Sequence, residues 1–281
     1  METQYQWYPG HMAKAKKEME ESLKLVDVVI ELVDARIPFS SKNPDVDKMI
    51  KNKPRVLLLN KSDLADERVT ADFKKYYEDK GITVAVTDCK KGRLDRVMEP
   101  VREVCREKIE RDKKRGMINR PIRAMVLGIP NVGKSTFINS YAKKACTKTG
   151  DRPGVTKGRQ WIRLSKELEL LDTPGILWPK FEDNGIGRNI AYIGSINDEI
   201  LNLEELAVKL IDFLHEYYPG NVGERYGIEE NGSGAEILPA IAIKKACLKK
   251  GGEPDTEKMA RLILEDLRSG RLGKVSLERV P

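Results

Sequence analysis

The chain has 281 residues, of which 40% are hydrophobic and 34% charged. That is enough for one large or two modest domains with buried cores, and no apolar run approaches the ~20 residues of a membrane span. The net charge of +7 at pH 7 favours a polyanionic partner without identifying one.

Cys89, Cys105, Cys146 and Cys247 are far apart and form no Cys-x-x-Cys pair. Neither a zinc framework nor a disulfide framework is expected, and scattered thiols fit a reducing compartment, the cytoplasm. The first ten residues carry no basic-then-apolar signal pattern.

Pro9-Gly10 breaks the chain before a helix predicted over Met12–Lys24. Val26–Val33 reads as a mostly buried strand, ending at Asp34-Ala35-Arg36-Ile37-Pro38. Further strands are expected over Arg55–Leu59 and Ile82–Val86, with a helix over Asp66–Lys80 between them. Leu94–Arg115 is expected to be one long charged helix. Ile122–Leu127 is another strand, followed by a Gly-rich turn and a helix from Lys134. Gln160–Leu164 and Leu168–Leu171 complete the strands. This alternation indicates a largely parallel α/β sheet. Beyond about Gly185 the pattern changes. Leu203–Tyr217, Ala235–Lys249 and Thr256–Arg268 have helical apolar spacing, so a second, all-helical domain is expected.

Gly128-Ile129-Pro130-Asn131-Val132-Gly133-Lys134-Ser135 has the pattern Gly-x-x-x-x-Gly-Lys-Ser between a strand and a helix. Its glycines let backbone N–H groups wrap phosphates, with Pro130, Asn131, Val132, Gly133 and Thr136 completing the loop. Lys134 reaches the β and γ phosphates, the Ser135 hydroxyl ligates Mg²⁺, and the helix N-terminus favours the anion.

Asn60-Lys61-Ser62-Asp63, just after a strand, selects the base. Asp63 can accept hydrogen bonds from guanine N1–H and its exocyclic amine, a donor pair that adenine lacks. The Lys61 stem can lie against the base, and Asn60 can fix the loop. Asp172-Thr173-Pro174-Gly175 resembles the Asp-x-x-Gly of GTPases, with Asp172 on the Mg²⁺ side and the Gly175 N–H at the γ-phosphate. Thr156, between Gly154 and Gly158, stands where a first-switch threonine completes the Mg²⁺ shell. Thr87-Asp88-Cys89 occupies the place of the base-capping loop but matches its usual sequence poorly.

Ordinary GTPases run phosphate loop, first switch, Asp-x-x-Gly, Asn-Lys-x-Asp. Here Asn60–Asp63 precedes the phosphate loop, so the order is circularly permuted. The old termini would be joined through residues 94–115, and the cut falls after the second switch. The second switch then feeds directly into the helical domain. The segment Trp7–Lys14 is expected beside the nucleotide.

With Trp7-Tyr8-Pro9-Gly10-His11-Met12-Ala13-Lys14, Asp34-Ala35-Arg36-Ile37-Pro38, Asn60–Asp63, Gly128–Ser135 and Asp172-Thr173-Pro174-Gly175-Ile176 in this order, the sequence resembles the circularly permuted GTPases of ribosome assembly, specifically the bacterial ribosome biogenesis GTPase A (YlqF type) family. The resemblance implies a P-loop GTPase fold of class α/β with permuted strand order over residues 1–185 and a helical RNA- or ribosome-binding domain over 186–281. It also implies GTP/GDP and Mg²⁺ as ligands, and GTP hydrolysis during late assembly of the large ribosomal subunit. The expected partners are the precursor of that subunit and its rRNA. Neither DNA binding nor membrane insertion is expected, and the chain is expected to be a monomer.

Ile176 stands where many GTPases place a water-orienting glutamine, and it cannot hydrogen-bond water. His11 is the candidate replacement, giving a catalytic set of His11, Lys134, Thr156 and Gly175; its other reading is packing of the Trp-Tyr-Pro turn or contact with RNA. Asn131 has two readings: an oxygen ligand for K⁺ bridging the phosphates, as the resemblance suggests, or a brace for the first switch. For RNA, seven Lys or Arg face one acid, Asp151, between Ala142 and Arg163. Lys113-Lys114-Arg115, the lysines 244, 245, 249 and 250, and Arg268, Arg271 and Lys274 offer further patches. Trp161 is either a stacking platform for a base or a core residue. Two rival readings are a regulatory module that holds GTP with negligible turnover, kept open by Ile176, and an ATPase, which Asp63 opposes.

Overall fold

The computed structural model describes residues 10–50, 53–91, 95–117, 120–149, 161–171 and 184–281. In chain order the elements are α1 (Gly10–Leu23), β1 (Val28–Asp34), α2 (Pro44–Ile50), β2 (Arg55–Asn60), α3 (Glu67–Asp79), β3 (Thr83–Val86), α4 (Asp95–Val104), α5 (Arg106–Lys114), β4 (Ile122–Leu127), α6 (Lys134–Thr149), β5 (Trp161–Arg163), β6 (Leu168–Leu171), α7 (Asn184–Tyr192), α8 (Leu203–Tyr217), α9 (Asn221–Tyr226), α10 (Gly234–Lys244) and α11 (Thr256–Ser269).

The strands form one sheet in the order β3-β2-β1-β4-β6-β5. All neighbours pair in parallel except β5, which runs antiparallel to β6 at the edge. The apolar runs of β1 and β4 are explained by this order. They lie at the centre of the sheet, and every residue of β1 is buried, as expected of a parallel strand covered on both faces. Because the central strands are parallel, Asp34, Asn60, Val86, Leu127 and Leu171 all end on the same side of the sheet. Loops at that carboxyl edge are where open α/β sheets bind ligands.

The helix expected over 94–115 is two helices. The chain bends at Cys105 (φ −98°, ψ 6°), a residue only 1% exposed. The bend keeps α4 on β2 and β3 while the charged α5 turns Lys108 and Asp112 into an ion pair. The helix expected over 235–249 stops at Lys244, because Ala246 takes a left-handed φ of 51° and Leu248 bridges Pro254 in antiparallel fashion. The short helices α2, α7 and α9 have too few turns to announce themselves by apolar periodicity.

One hydrophobic cluster runs from Val126 and Phe137 beside the sheet through Ile190 of α7 to Leu210 and Ile263 of the tail. The helical tail therefore shares a core with the sheet. No helix among the described residues is long and apolar enough to cross a membrane.

Candidate nucleotide site

The loop after β4 is shaped by close approaches that only glycine permits. A Cβ on Gly128 would meet Leu32 O at 2.6 Å, and one on Gly133 would meet Asn60 Nδ2 at 2.4 Å. Gly133 also has φ 102°, and Asn131 is held at φ 62°, a left-handed conformation that costs a non-glycine residue about 1–3 kcal/mol. Lys134 Nζ donates to Gly128 O at 2.8 Å and Ile129 O at 2.7 Å, which holds the ammonium inside the curve of the loop. Ser135 and Thr136 are exposed in the first turn of α6.

Asn60 ties three loops together. Its Nδ2 donates to Val132 O at 2.7 Å, and its Oδ1 accepts from Cys89 N at 3.1 Å. The poorly matching Thr87-Asp88-Cys89 segment is thus tied to Asn60 through its backbone, a contact that tolerates many side chains. Burial first, and then the Asp88 charge, push the Cys89 thiol up to about 12, so it is not a nucleophile.

Lys61 is also left-handed, at φ 59°. Its Nζ lies 3.0 Å from Asp34 Oδ2 and donates to Asn131 O at 2.5 Å. Asp34 is 0% exposed and is gripped by Arg36, whose Nε and Nη2 reach the two carboxylate oxygens at 2.9 and 2.8 Å. Burial would raise the Asp34 carboxyl, but Arg36 and then Lys61 outweigh it and hold it well below the usual carboxylate range. Asp63 Oδ1, in contrast, is buried with no hydrogen-bond partner. A buried acceptor without a donor costs about 1–3 kcal/mol, so a ligand that supplies N–H groups there is favoured.

The tail reaches the same loop. Ser195 Oγ donates to Pro130 O at 2.5 Å, and Asn131 Nδ2 donates to Gly194 O. Arg268 fastens this turn from behind, pairing with both oxygens of Asp198 at 2.7 Å and donating to Ala191 O and Tyr192 O at 3.0 Å.

The structure therefore brings together Asn60, Lys61, Asp63, Thr87, Asp88, Cys89 and Pro130–Thr136. Thr156, Asp172, Gly175 and Ile176 lie outside the described residues. His11 falls on α1, with its side chain outside them as well. In the sequence Asp34 and Arg36 stand out only as marks of the family resemblance; an Asp-x-Arg at the end of an apolar strand is the local sign of their structural part. Nothing local marks Gly194 and Ser195.

Among the proposed RNA contacts, Arg271 pairs with Asp266 and Lys274 with Glu67, each at 2.5 Å. Together with the Arg268 pair, this commits the cations near the chain end to structure. Lys244, Lys245, Lys249 and Lys250 are all exposed, as are Lys113, Lys114 and Arg115. Trp161 is half-buried against the core of β1 and β4, with Arg123 over its ring at 4.9 Å.

A Gly-rich loop between a parallel strand and a helix, joined through Asn60 to the loop that carries the partnerless Asp63 Oδ1, defines a P-loop GTPase whose strands are circularly permuted. The family described as 50S ribosome-binding GTPase matches residues 123–224, starting on β4, the strand with which an unpermuted chain begins. Asn60–Asp63 lies upstream, where a match in that order cannot reach. The chain is 49% identical over 276 residues to ribosome biogenesis GTPase A of Bacillus licheniformis, covering 98% of each chain. It superposes on the GNP-bound YlqF of Thermotoga maritima with a TM-score of 0.67 at 30% identity, covering 95% of this chain and 98% of that one. A GDP-bound YlqF gives 0.69 at 28% identity, covering 93% and 98%. The chain belongs to the ribosome biogenesis GTPase A family, and it is a GTP hydrolase that binds guanine nucleotides.

Proposed function

We propose that the chain hydrolyses GTP during late assembly of the large ribosomal subunit in the cytoplasm, as a monomer that docks on the precursor particle through its rRNA. Residues 1–185 act as the nucleotide-driven part and 186–281 as the docking part. The observation that carries the guanine reading is the buried, partnerless Asp63 Oδ1 beside the phosphate loop. Docking is supported by the exposed lysines 244, 245, 249 and 250 at and after the end of α10 and by Lys113–Arg115, whose contacts with phosphates would be salt-dependent.

In this reading Asp63 accepts from the guanine edge, Lys61 lies along the base, and Asn60 with the backbone of Thr87–Cys89 closes the pocket. Phosphates sit against Pro130–Gly133, Lys134 and Thr136. The Ser135 hydroxyl, exposed at the start of α6, is an oxygen donor of the kind Mg²⁺ takes, with Thr156 and Asp172 as its companions. Asn131 fits K⁺: its amide nitrogen is committed to Gly194 O, so Oδ1 is the atom able to meet a cation. Bound cations supply positive charge against the phosphate oxygens. The Gly175 N–H meets the γ-phosphate. Ile176 offers no group to water, and His11 orients or deprotonates it.

The test is GTP turnover in K⁺ buffer, with and without purified large subunits. Acceleration by about 10²-fold or more is expected when the particle completes the site. Equal rates with and without particles, or in Na⁺ and K⁺ at matched ionic strength, would overturn the corresponding part.

A further inference from the structure

The guanine-reading loop is held from two sides. On the sheet side, Ser62 N donates to Thr87 O at 3.3 Å and Lys61 is fixed by Asp34. On the other side the partner is the end of the chain, after α11. Val275 N donates to Leu64 O at 3.0 Å, and Asp66 N donates to Ser276 Oγ at 3.1 Å. Leu277 N donates to Arg36 O at 2.8 Å, and the Arg36 guanidinium returns to Leu267 O at 3.0 Å. Ser276 N in turn donates to Tyr218 Oη at 3.0 Å, whose hydroxyl lies 3.3 Å from Asp66 Oδ2. Gly270, at φ 82°, packs so closely that a Cβ there would meet Leu64 Cδ2 at 2.6 Å. Val275 and Ser276 are both 0% exposed, so these contacts are shielded from competing water.

Asp63 stands between Ser62 and Leu64, and its Oδ1 has no anchor of its own. Its direction is therefore set by the backbone on either side. One flank is fastened to the loop after β3, the other to the chain end. We propose that the segment 270–277 is a positioning element for guanine selectivity: by holding Leu64 and Asp66, it aims the Asp63 carboxylate at the base. The coupling is reciprocal, so a guanine base seated on Asp63 steadies the end of the helical tail, and a partner that displaces the tail loosens the base.

This inference rests on the reading of Asp63 as the base-contacting carboxylate, and one measurement separates the two. Inosine diphosphate lacks the exocyclic amine that Asp63 accepts from. Affinities for GDP and IDP are measured on the full-length chain, on Val275→Pro, which removes the N–H given to Leu64, and on Ser276→Ala, which keeps the backbone intact. Wild type is expected to prefer GDP by about tenfold or more, the value of a hydrogen bond to a charged acceptor. In Val275→Pro that preference shrinks towards one: a misaimed Asp63 costs GDP two hydrogen bonds, from N1–H and the amine, but costs IDP, which keeps N1–H, only one, so both affinities fall and GDP's falls by the larger factor. Ser276→Ala moves the same ratio by a smaller factor. If the variants lose GDP and IDP affinity in equal proportion, or keep the wild-type ratio, the segment is structural only and the inference falls. If wild type itself shows no preference for GDP, the reading of Asp63 falls first.

Discussion

The Lys61 ammonium lies 3.0 Å from a carboxylate oxygen of Asp34, at the ends of the adjacent parallel strands β1 and β2. The contact makes a buried ion pair part of the proposed guanine site. Asp34 is shared between Lys61 and Arg36, and Arg36 also donates to the last turn of α11. One carboxylate thus links the loop after β2, the centre of the sheet and the helical tail.

Asp34→Asn is expected to destabilise the fold by about 3–5 kcal/mol, because it leaves the buried Arg36 without its counter-charge. Lys61, strained at φ 59°, would lose one of its two holds, so nucleotide affinity is expected to fall as well. Calorimetric unfolding and nucleotide titration on the same preparation check both. Unchanged stability would mean that Arg36 is satisfied by the tail carbonyls alone.

Gly133→Ala tests the junction of the two motifs. The added Cβ would lie 2.4 Å from Asn60 Nδ2, and the left-handed φ of 102° is unfavourable for alanine. The bond from Asn60 to Val132 O must break, and GDP affinity is expected to drop at least tenfold, by about 1.4 kcal/mol or more. A variant that binds GDP as wild type does would show that the two loops move independently.

Glu31, in the middle of β1, is 1% exposed, and its Oε1 has no partner. Burial raises its carboxyl from the ordinary 4.5 to about 7, against the opposing pull of Lys42 and Arg55. The folded state thus holds this proton more tightly than the unfolded state. The associated stability is complete below 4.5 and is lost as pH rises through 7. Unfolding free energy should therefore decline between pH 5 and 8 by up to about 3 kcal/mol from this group. Glu31→Gln should flatten that slope. Parallel slopes in denaturant titrations of the two proteins would contradict it.

His11→Ala separates water activation from particle binding. GTP affinity and particle binding are expected to persist while most of the stimulated turnover is lost, a factor of about 10² or more for a positioned acid–base group. If the variant is stimulated as strongly as wild type, the histidine packs or touches RNA, and the water is handled by another group.

Short contiguous stretches of backbone are what can be read directly from the order of residues. Gly128–Ser135 and Asn60–Asp63 are legible because each is a contiguous run with a recognisable residue pattern, and their order alone reveals the permutation. The parallel sheet was legible from strand–helix alternation, although the break at Cys105 was not, since a buried bend leaves no mark in a run of charged residues. How the motifs are held, by contrast, follows from contacts between segments far apart in the chain. Arg36 and Leu267 are 231 positions apart, and Asn131 meets Gly194 across 63. Both bonds end on backbone carbonyls, which every residue possesses, so no side-chain pattern announces them. They arise because the tail shares a hydrophobic core with the sheet, and that packing brings the carbonyls within reach of the site.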